Sequence, residues 1–173
     1  MQYLSACIQS GQTEQAQTYI SGICEEIEAQ KVQRYCENEA ANLILSAFAG
    51  RAQKAGIVMN VHGRLPAFIL VSDSDLCVLL SNALENALHA CHPFAAAGTD
   101  PVIDVQFYER GGTLFLQVTN PCGSKVPFEN GLPVSDQPGH GIGVQSICAI
   151  VQRHGGVYSF SAKNGQFILR LSL

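Results

Sequence analysis

Residues 139–143 read Gly-His-Gly-Ile-Gly, and they lead without interruption into an apolar-periodic stretch, residues 144–151. Glycines allow the backbone to come close to a bulky anion, and the start of a helix presents unpaired N–H groups with a partial positive charge. The junction therefore suits a phosphate group. Glycine-rich helix starts also serve as plain turns, so this segment alone leaves both interpretations open.

A second motif lies upstream, at residues 79–88, and reads Leu-Leu-Ser-Asn-Ala-Leu-Glu-Asn-Ala-Leu. At about 100° per residue, four polar side chains share one side of the predicted helix: Asn82, Glu85, Asn86 and His89. The other side is an apolar stripe that should pack on a sheet, formed by Leu76, Leu80, Ala83, Leu84, Ala87, Leu88 and Cys91. Asparagine offers a neutral carbonyl oxygen suited to Mg²⁺ shared with phosphates. We predict a magnesium-binding face, with a solvated helix surface as the alternative.

Composition limits the remaining classes of protein. The chain has 173 residues, a net charge of −4 and only ten Lys and Arg, so it carries no basic stripe for nucleic acid. No apolar run approaches the roughly 20 residues of a membrane-spanning helix, and the start lacks the regions of a signal peptide. Seven scattered cysteines without a Cys-x-x-Cys pair favour free thiols in a reducing cytoplasm over disulfides or zinc.

Periodicity predicts alternating helical and extended segments. Helices are expected at residues 14–27, 39–55, from 72 to about 92, and from 144. Strands are expected at 57–61, 67–71, in a hairpin over 103–118, and in a closing hairpin over 157–173. Residues 121–139, rich in proline and glycine, form a long connection typical of a functional lid.

The two motifs, their order and this pattern resemble the GHKL ATP-binding fold of histidine kinases, gyrase-type ATPases, mismatch-repair ATPases and heat-shock-90 chaperones. Residues 82–86 resemble the N box of that family, and residues 139–144 resemble its second glycine box. The resemblance covers about residues 38–173. It implies an α+β, two-layer sandwich, with a mixed, mostly antiparallel sheet covered on one face by helices and preceded by a helical segment.

The resemblance also implies roles for individual residues. Asn86 would coordinate Mg²⁺ that bridges the ATP phosphates, and Asn82 would lie beside it. In relatives that hydrolyse ATP a glutamate base typically occupies the place of Asn82; an amide cannot accept that proton, which favours phosphoryl transfer. The further residues expected to bind the cofactor are His89, His140, Gly141, Ile142, Gly143 and Val144.

One segment departs from the family pattern. The first glycine box, usually Asp-x-Gly-x-Gly, is replaced by Val-Thr-Asn-Pro-Cys-Gly at residues 118–123. Asn120 can accept the hydrogen bond of the adenine amino group without a charge, and Asn here resembles the quorum-sensing, peptide-responsive branch of sensor kinases. The alternative is that Asn120 is a turn residue at the end of a strand, before Pro121.

Residues 11–20 resemble the turn into the second helix of that branch's dimerisation hairpin, which gives predicted domains at 1–37 and 38–173. No histidine lies in residues 1–10, so the phosphoacceptor would belong to a preceding helix or another chain. The resemblance implies a cytoplasmic ATP-dependent histidine kinase domain, part of a membrane-anchored and homodimeric sensor that signals to a response regulator. An anti-sigma-type serine kinase, a slow ATPase and a non-catalytic nucleotide-binding or dimerisation module remain alternatives.

Overall fold

The structure is a computed structural model that describes residues 34–123, 126–134 and 141–173. The helical segment predicted at 14–27 and the domain boundary after residue 37 therefore depend on a region, residues 1–33, outside the described residues. The helices are α1 (Glu39–Lys54), α2 (Asp73–Ala96) and α3 (Ile142–Arg153). The strands are β1 (Val58–Arg64), β2 (Val102–Arg110), β3 (Thr113–Pro121), β4 (Phe128–Glu129), β5 (Leu132–Pro133), β6 (Val157–Lys163) and β7 (Gln166–Ser172).

Five of these strands form one sheet in the order β1-β2-β3-β7-β6. β1 pairs with β2 in parallel, and the other three pairings are antiparallel. Two tight turns, at Gly111-Gly112 and Asn164-Gly165, adopt the positive φ angles that two-residue hairpins require. The prediction of a mixed, mostly antiparallel sheet with two hairpins is confirmed.

The helices lie on one face of this sheet. α2 is the central helix: it packs against α1 on one side and α3 on the other, and it covers β2 and β3. Every residue of the predicted apolar stripe on α2 is buried, from Leu76 to Cys91, at 3% exposure or less. Each buried leucine stabilises the fold by about 2 kcal/mol, which fixes the rotation of α2 about its axis.

Side chains cap both long helices at their first turns. The amide oxygen of Asn38 accepts a hydrogen bond from the backbone N–H of Ala41, and the hydroxyl of Ser72 accepts one from Asp75. Caps of this kind contribute about 1 kcal/mol each. Ser72 therefore sets where α2 begins, and with it the position of the polar face.

The prediction of a second short strand at residues 67–71 is wrong. Pro66 removes a backbone donor, and the neighbouring carbonyls bond elsewhere: Leu65 accepts from the N–H of Glu37, and Ala67 accepts from the side chain of Asn38. The segment crosses the surface, with Phe68 92% exposed.

Two helix boundaries also differ from the prediction. α2 continues one turn past Pro93, because the hydroxyl of Thr99 donates to the carbonyl of Phe94 and satisfies an acceptor at the helix end. α3 begins at Ile142 instead of residue 144 because Gly141, at φ 109°, ends the loop two residues earlier.

Candidate functional site

The two sequence motifs meet where α2 passes the start of α3. A Cβ atom placed on Gly143 would lie 3.1 Å from Oδ1 of Asn82 and 3.5 Å from its Cγ. Any side chain at residue 143 would thus crowd the amide of Asn82. The fold brings the N-box-like helix and the glycine segment into direct contact, as the sequence predicts.

The loop before α3 depends on glycine for a second reason. Gly141 has φ 109° and ψ −26°, a left-handed conformation that disfavours residues with a Cβ atom. No side chain caps the helix at this residue. The first N–H groups of α3 are therefore presented without a side-chain cap, which is the arrangement that suits an anion.

The other predicted site residues differ in how accessible they are. Asn86 and His89 are exposed, while Asn82 is partly buried against Gly143. The ring of His89 meets that of His92 edge to face, with centroids 6.2 Å apart.

At the start of α3, Ile142 is 68% exposed and Val144 packs against the core. His140 lies outside the described residues. Ile142 and Val144 thus lie on the same first turn of α3 as Gly143.

Asn120 lies in β3 and is only 3% exposed. It shares the helix-facing side of the strand with Leu116 and Val118, and it pairs with Phe167 of β7. Its amide nitrogen donates to the carbonyl of Pro121 at 2.8 Å, which leaves the amide oxygen as an acceptor. Asn120 is therefore a buried strand residue, one position before the end of β3, and not part of a turn.

Part of the predicted lid packs beside Asn120. Residues 128–133 form the small hairpin β4–β5, turning at Asn130 and Gly131 with positive φ. The ring of Phe128 stacks on Phe167, the pairing partner of Asn120, with centroids 6.4 Å apart and an interplanar angle of 15°. A stacked pair of aromatic rings therefore lies beside the end of β3. The sequence showed the loop but not this anchor.

Glu85 is held by a residue that the sequence did not single out. Arg51 of α1 donates to both carboxylate oxygens of Glu85, at 2.7 and 2.9 Å. These hydrogen bonds and the charge of Arg51 hold the pKa of the Glu85 carboxyl below its ordinary value. Because Arg51 lies far away in the sequence, only the fold reveals the pairing.

A second charged cluster joins the beginning of α2 to the end of α3. The carboxylate of Asp75, in the first turn of α2, bonds Nε2 of His154 at 2.8 Å and also accepts from Arg153, at the end of α3. α2 and α3 are thus antiparallel, with Asp75 at one contact and Asn82 at the other. The hydrogen bond from His154, followed by those from Ser72 and Arg153, lowers the pKa of Asp75.

The residues present fit a nucleotide with its magnesium ion. The lack of a side chain at Gly143 lets the start of α3 lie directly against the Asn82 amide, and Asn86 is an exposed amide one turn further along α2. Mg²⁺ commonly takes one or two protein oxygens and completes its shell with phosphates and water. In the described residues no three His, Cys, Asp or Glu side chains group to hold a metal alone. Within that same part of the chain, no helix is long and apolar enough to cross a membrane.

Solved structures share this fold. The catalytic domain of histidine kinase ThkA is 14% identical, with a TM-score of 0.60 over 78% of this chain and 90% of that one. The mycobacterial sensor histidine kinase MprB is 21% identical, with a TM-score of 0.58 over 78% and 93%. Full-length ShkA in complex with AMPPNP is 18% identical, with a TM-score of 0.57 over 76% and 28%.

No curated protein sequence matches the chain. A family model, described as the GHKL domain, matches residues 72–173. That match runs from the cap of α2 to the last residue, so it contains both motifs and the contact between Asn82 and Gly143. It covers more than half of the sequence and agrees with the fold. This chain belongs to the GHKL family.

Proposed function

We propose that this protein binds Mg-ATP between α2 and α3 and donates the γ-phosphoryl group to a histidine on a dimerisation helix. It would be the catalytic part of a two-component sensor histidine kinase of the quorum-sensing, peptide-responsive branch. The observation that carries the proposal is the contact between Gly143 and Asn82, because it combines an amide face with an uncapped helix start.

Each residue has a role in this proposal that its position allows. Asn86 binds Mg²⁺ through its amide oxygen, and Asn82 hydrogen-bonds the phosphates beside it. Gly141 and Gly143 let the backbone N–H groups of the first turn of α3, including those of Ile142 and Val144, approach the phosphates. His89, exposed on α2, would border the same phosphates, and the family resemblance gives the same role to His140, which lies outside the described residues. Asn120 accepts from the adenine amino group.

Phosphoryl transfer requires mainly that the site position the reactants and neutralise charge on the phosphates. When bound, Mg²⁺ neutralises charge on the phosphates that flank the transferred group. The protein supplies position and N–H dipoles; the bond from the γ-phosphorus to ADP breaks as a bond to the histidine nitrogen forms. Asn82 cannot act as a base toward water, so the site favours transfer over hydrolysis.

The shared fold with histidine kinases such as ThkA and MprB supports the kinase role. The AMPPNP complex of ShkA supports the choice of an adenine nucleotide. We also propose that the full protein is a cytoplasmic dimer that signals to a response regulator. Its domain boundary would lie after residue 37.

The direct test supplies γ-labelled Mg-ATP together with a histidine-containing dimerisation hairpin from a sensor kinase of this branch. We expect label on the hairpin that is lost in acid and kept in alkali, as for phosphohistidine. Acid-stable label would indicate a serine kinase instead. Release of inorganic phosphate with no labelled protein would indicate a slow ATPase. If neither labelled protein nor inorganic phosphate forms, the protein would be a non-catalytic module.

A further inference from the structure

The ion pair between Arg51 and Glu85 lies beside the amide face of α2. Both nitrogens of the guanidinium fork engage the carboxylate, at 2.7 and 2.9 Å. The guanidinium carbon also lies 4.7 Å from the centre of the Phe48 ring, which is itself buried in the core. Stacking on a fixed ring limits the motion of a long side chain. The pair is half-exposed, yet its geometry is well defined.

Glu85 is an isolated charge on α2. From Leu76 to the end of α2 it is the only Asp, Glu, Lys or Arg side chain. It directly precedes Asn86 and follows Asn82 by three residues, so it lies on the same side of α2 as the two amides. A carboxylate there would repel the phosphates of a nucleotide and would compete with them for Mg²⁺.

We propose that Arg51 is a positioning residue that neutralises Glu85 and holds its carboxylate toward α1, so that the nucleotide meets the amides of α2 without an unpaired carboxylate beside them. This inference rests on the proposed function. It assigns a role in ATP binding to a helix, α1, that carries neither sequence motif. The energetic contribution of the pair to folding is small, as for most exposed pairs. Its consequence for an anionic ligand is larger, because removal of Arg51 alone unmasks a negative charge.

The experiment is a double-mutant cycle with calorimetric titration of Mg-ATP into wild type, Arg51→Gln, Glu85→Gln and the double variant. Arg51→Gln should raise Kd about fivefold, the effect of one unit charge several ångströms from phosphate at an intermediate dielectric. Glu85→Gln and the double variant should bind within about twofold of wild type, because neither leaves an unpaired carboxylate. The loss of Mg-ATP affinity in Arg51→Gln, relative to wild type, should become smaller as ionic strength rises.

A difference in affinity between the two single variants separates this role from a purely structural one, because either substitution breaks the same ion pair between α1 and α2. Arg153→Gln is the matched control: it also removes an exposed arginine paired with an acid on α2, but at the far contact with Asp75. It should bind Mg-ATP like wild type, and thermal unfolding should show all variants folded.

Wild-type affinity in Arg51→Gln would overturn the inference while leaving the nucleotide site intact. If both single variants bind Mg-ATP equally weakly, or if the double variant does not regain wild-type affinity, the inference would be overturned. The ion pair would then act only by holding α1 and α2 together. A wild-type protein that fails to bind Mg-ATP would refute the proposed function itself, and this inference with it.

Discussion

Asn82 and Gly143 contact each other so closely that a methyl group on residue 143 would lie 3.1 Å from the Asn82 amide oxygen. This contact joins the helix that carries the amides to the helix that presents its N-terminus. It gives Gly143 a reason of its own to be glycine, distinct from that of Gly141, where the backbone conformation and not the space is restrictive.

Gly143→Ala should therefore leave the protein folded while displacing the Asn82 side chain. We expect Kd for Mg-ATP to rise about tenfold, which corresponds to about 1.4 kcal/mol. Gly50→Ala is the matched control, because Gly50 lies within α1 with open space around its Cα. It should raise the free energy of unfolding by about 0.5–1 kcal/mol and leave nucleotide affinity unchanged. Unaltered affinity in Gly143→Ala would show that the contact does not shape the site.

Asn120→Ala should reduce the preference for ATP over GTP. The variant loses the acceptor for the adenine amino group, and it also leaves the carbonyl of Pro121 without its donor, which costs about 1–2 kcal/mol of stability. Competition titrations of ATP against GTP measure the preference. The control is Thr119→Ala, one residue away on the opposite face of β3. An ATP-to-GTP ratio equal to that of wild type would remove Asn120 from base recognition.

Phe128→Trp should turn the β4–β5 hairpin into an optical probe, since the chain contains no tryptophan. Phe128 stacks on Phe167 next to Asn120, so nucleotide at this end of β3 should change the emission on addition of Mg-ATP. Phe115→Trp is the control: it stacks on Tyr108, with centroids 4.7 Å apart, on the face of the sheet that the helices do not cover. A nucleotide response from both variants, or from neither, would contradict the proposed position of the base.

The cluster at Asp75 predicts a defined dependence of stability on pH. Because the folded pKa of Asp75 is lowered, its contribution is complete above the unfolded value, ordinarily 3.8, and disappears as pH falls through the lower folded value. Asp75→Asn should melt below wild type at neutral pH, and the gap should narrow below about pH 4. Asp73→Asn, in the same helical turn but exposed, is the control. If the difference in melting temperature between Asp75→Asn and wild type stays constant from neutral to acidic pH, ionisation of Asp75 does not contribute to stability.

The sequence predicted those parts of the fold that depend on local pattern. The apolar stripe of α2 and the alternation of β2 and β3 follow from spacing alone, and all the stripe residues are buried. The strand predicted at residues 67–71 was wrong because the carbonyls around Pro66 bond groups far upstream: Leu65 accepts from the backbone N–H of Glu37, and Ala67 accepts from the side chain of Asn38. The role of Arg51 could not be predicted for the same reason: its partner, Glu85, lies far away in the sequence, and a surface arginine on a predicted helix does not indicate which carboxylate it binds.

Binding of Mg-ATP by α2 and α3 together can be measured by calorimetric titration of ATP, with and without Mg²⁺, into wild type and Asn86→Ala. Asn86 is exposed on α2, so its truncation should leave the fold intact. We predict magnesium-dependent binding to wild type and a Kd at least about tenfold higher in Asn86→Ala, from the loss of one metal ligand. Equal binding by both proteins, or binding indifferent to Mg²⁺, would contradict the account.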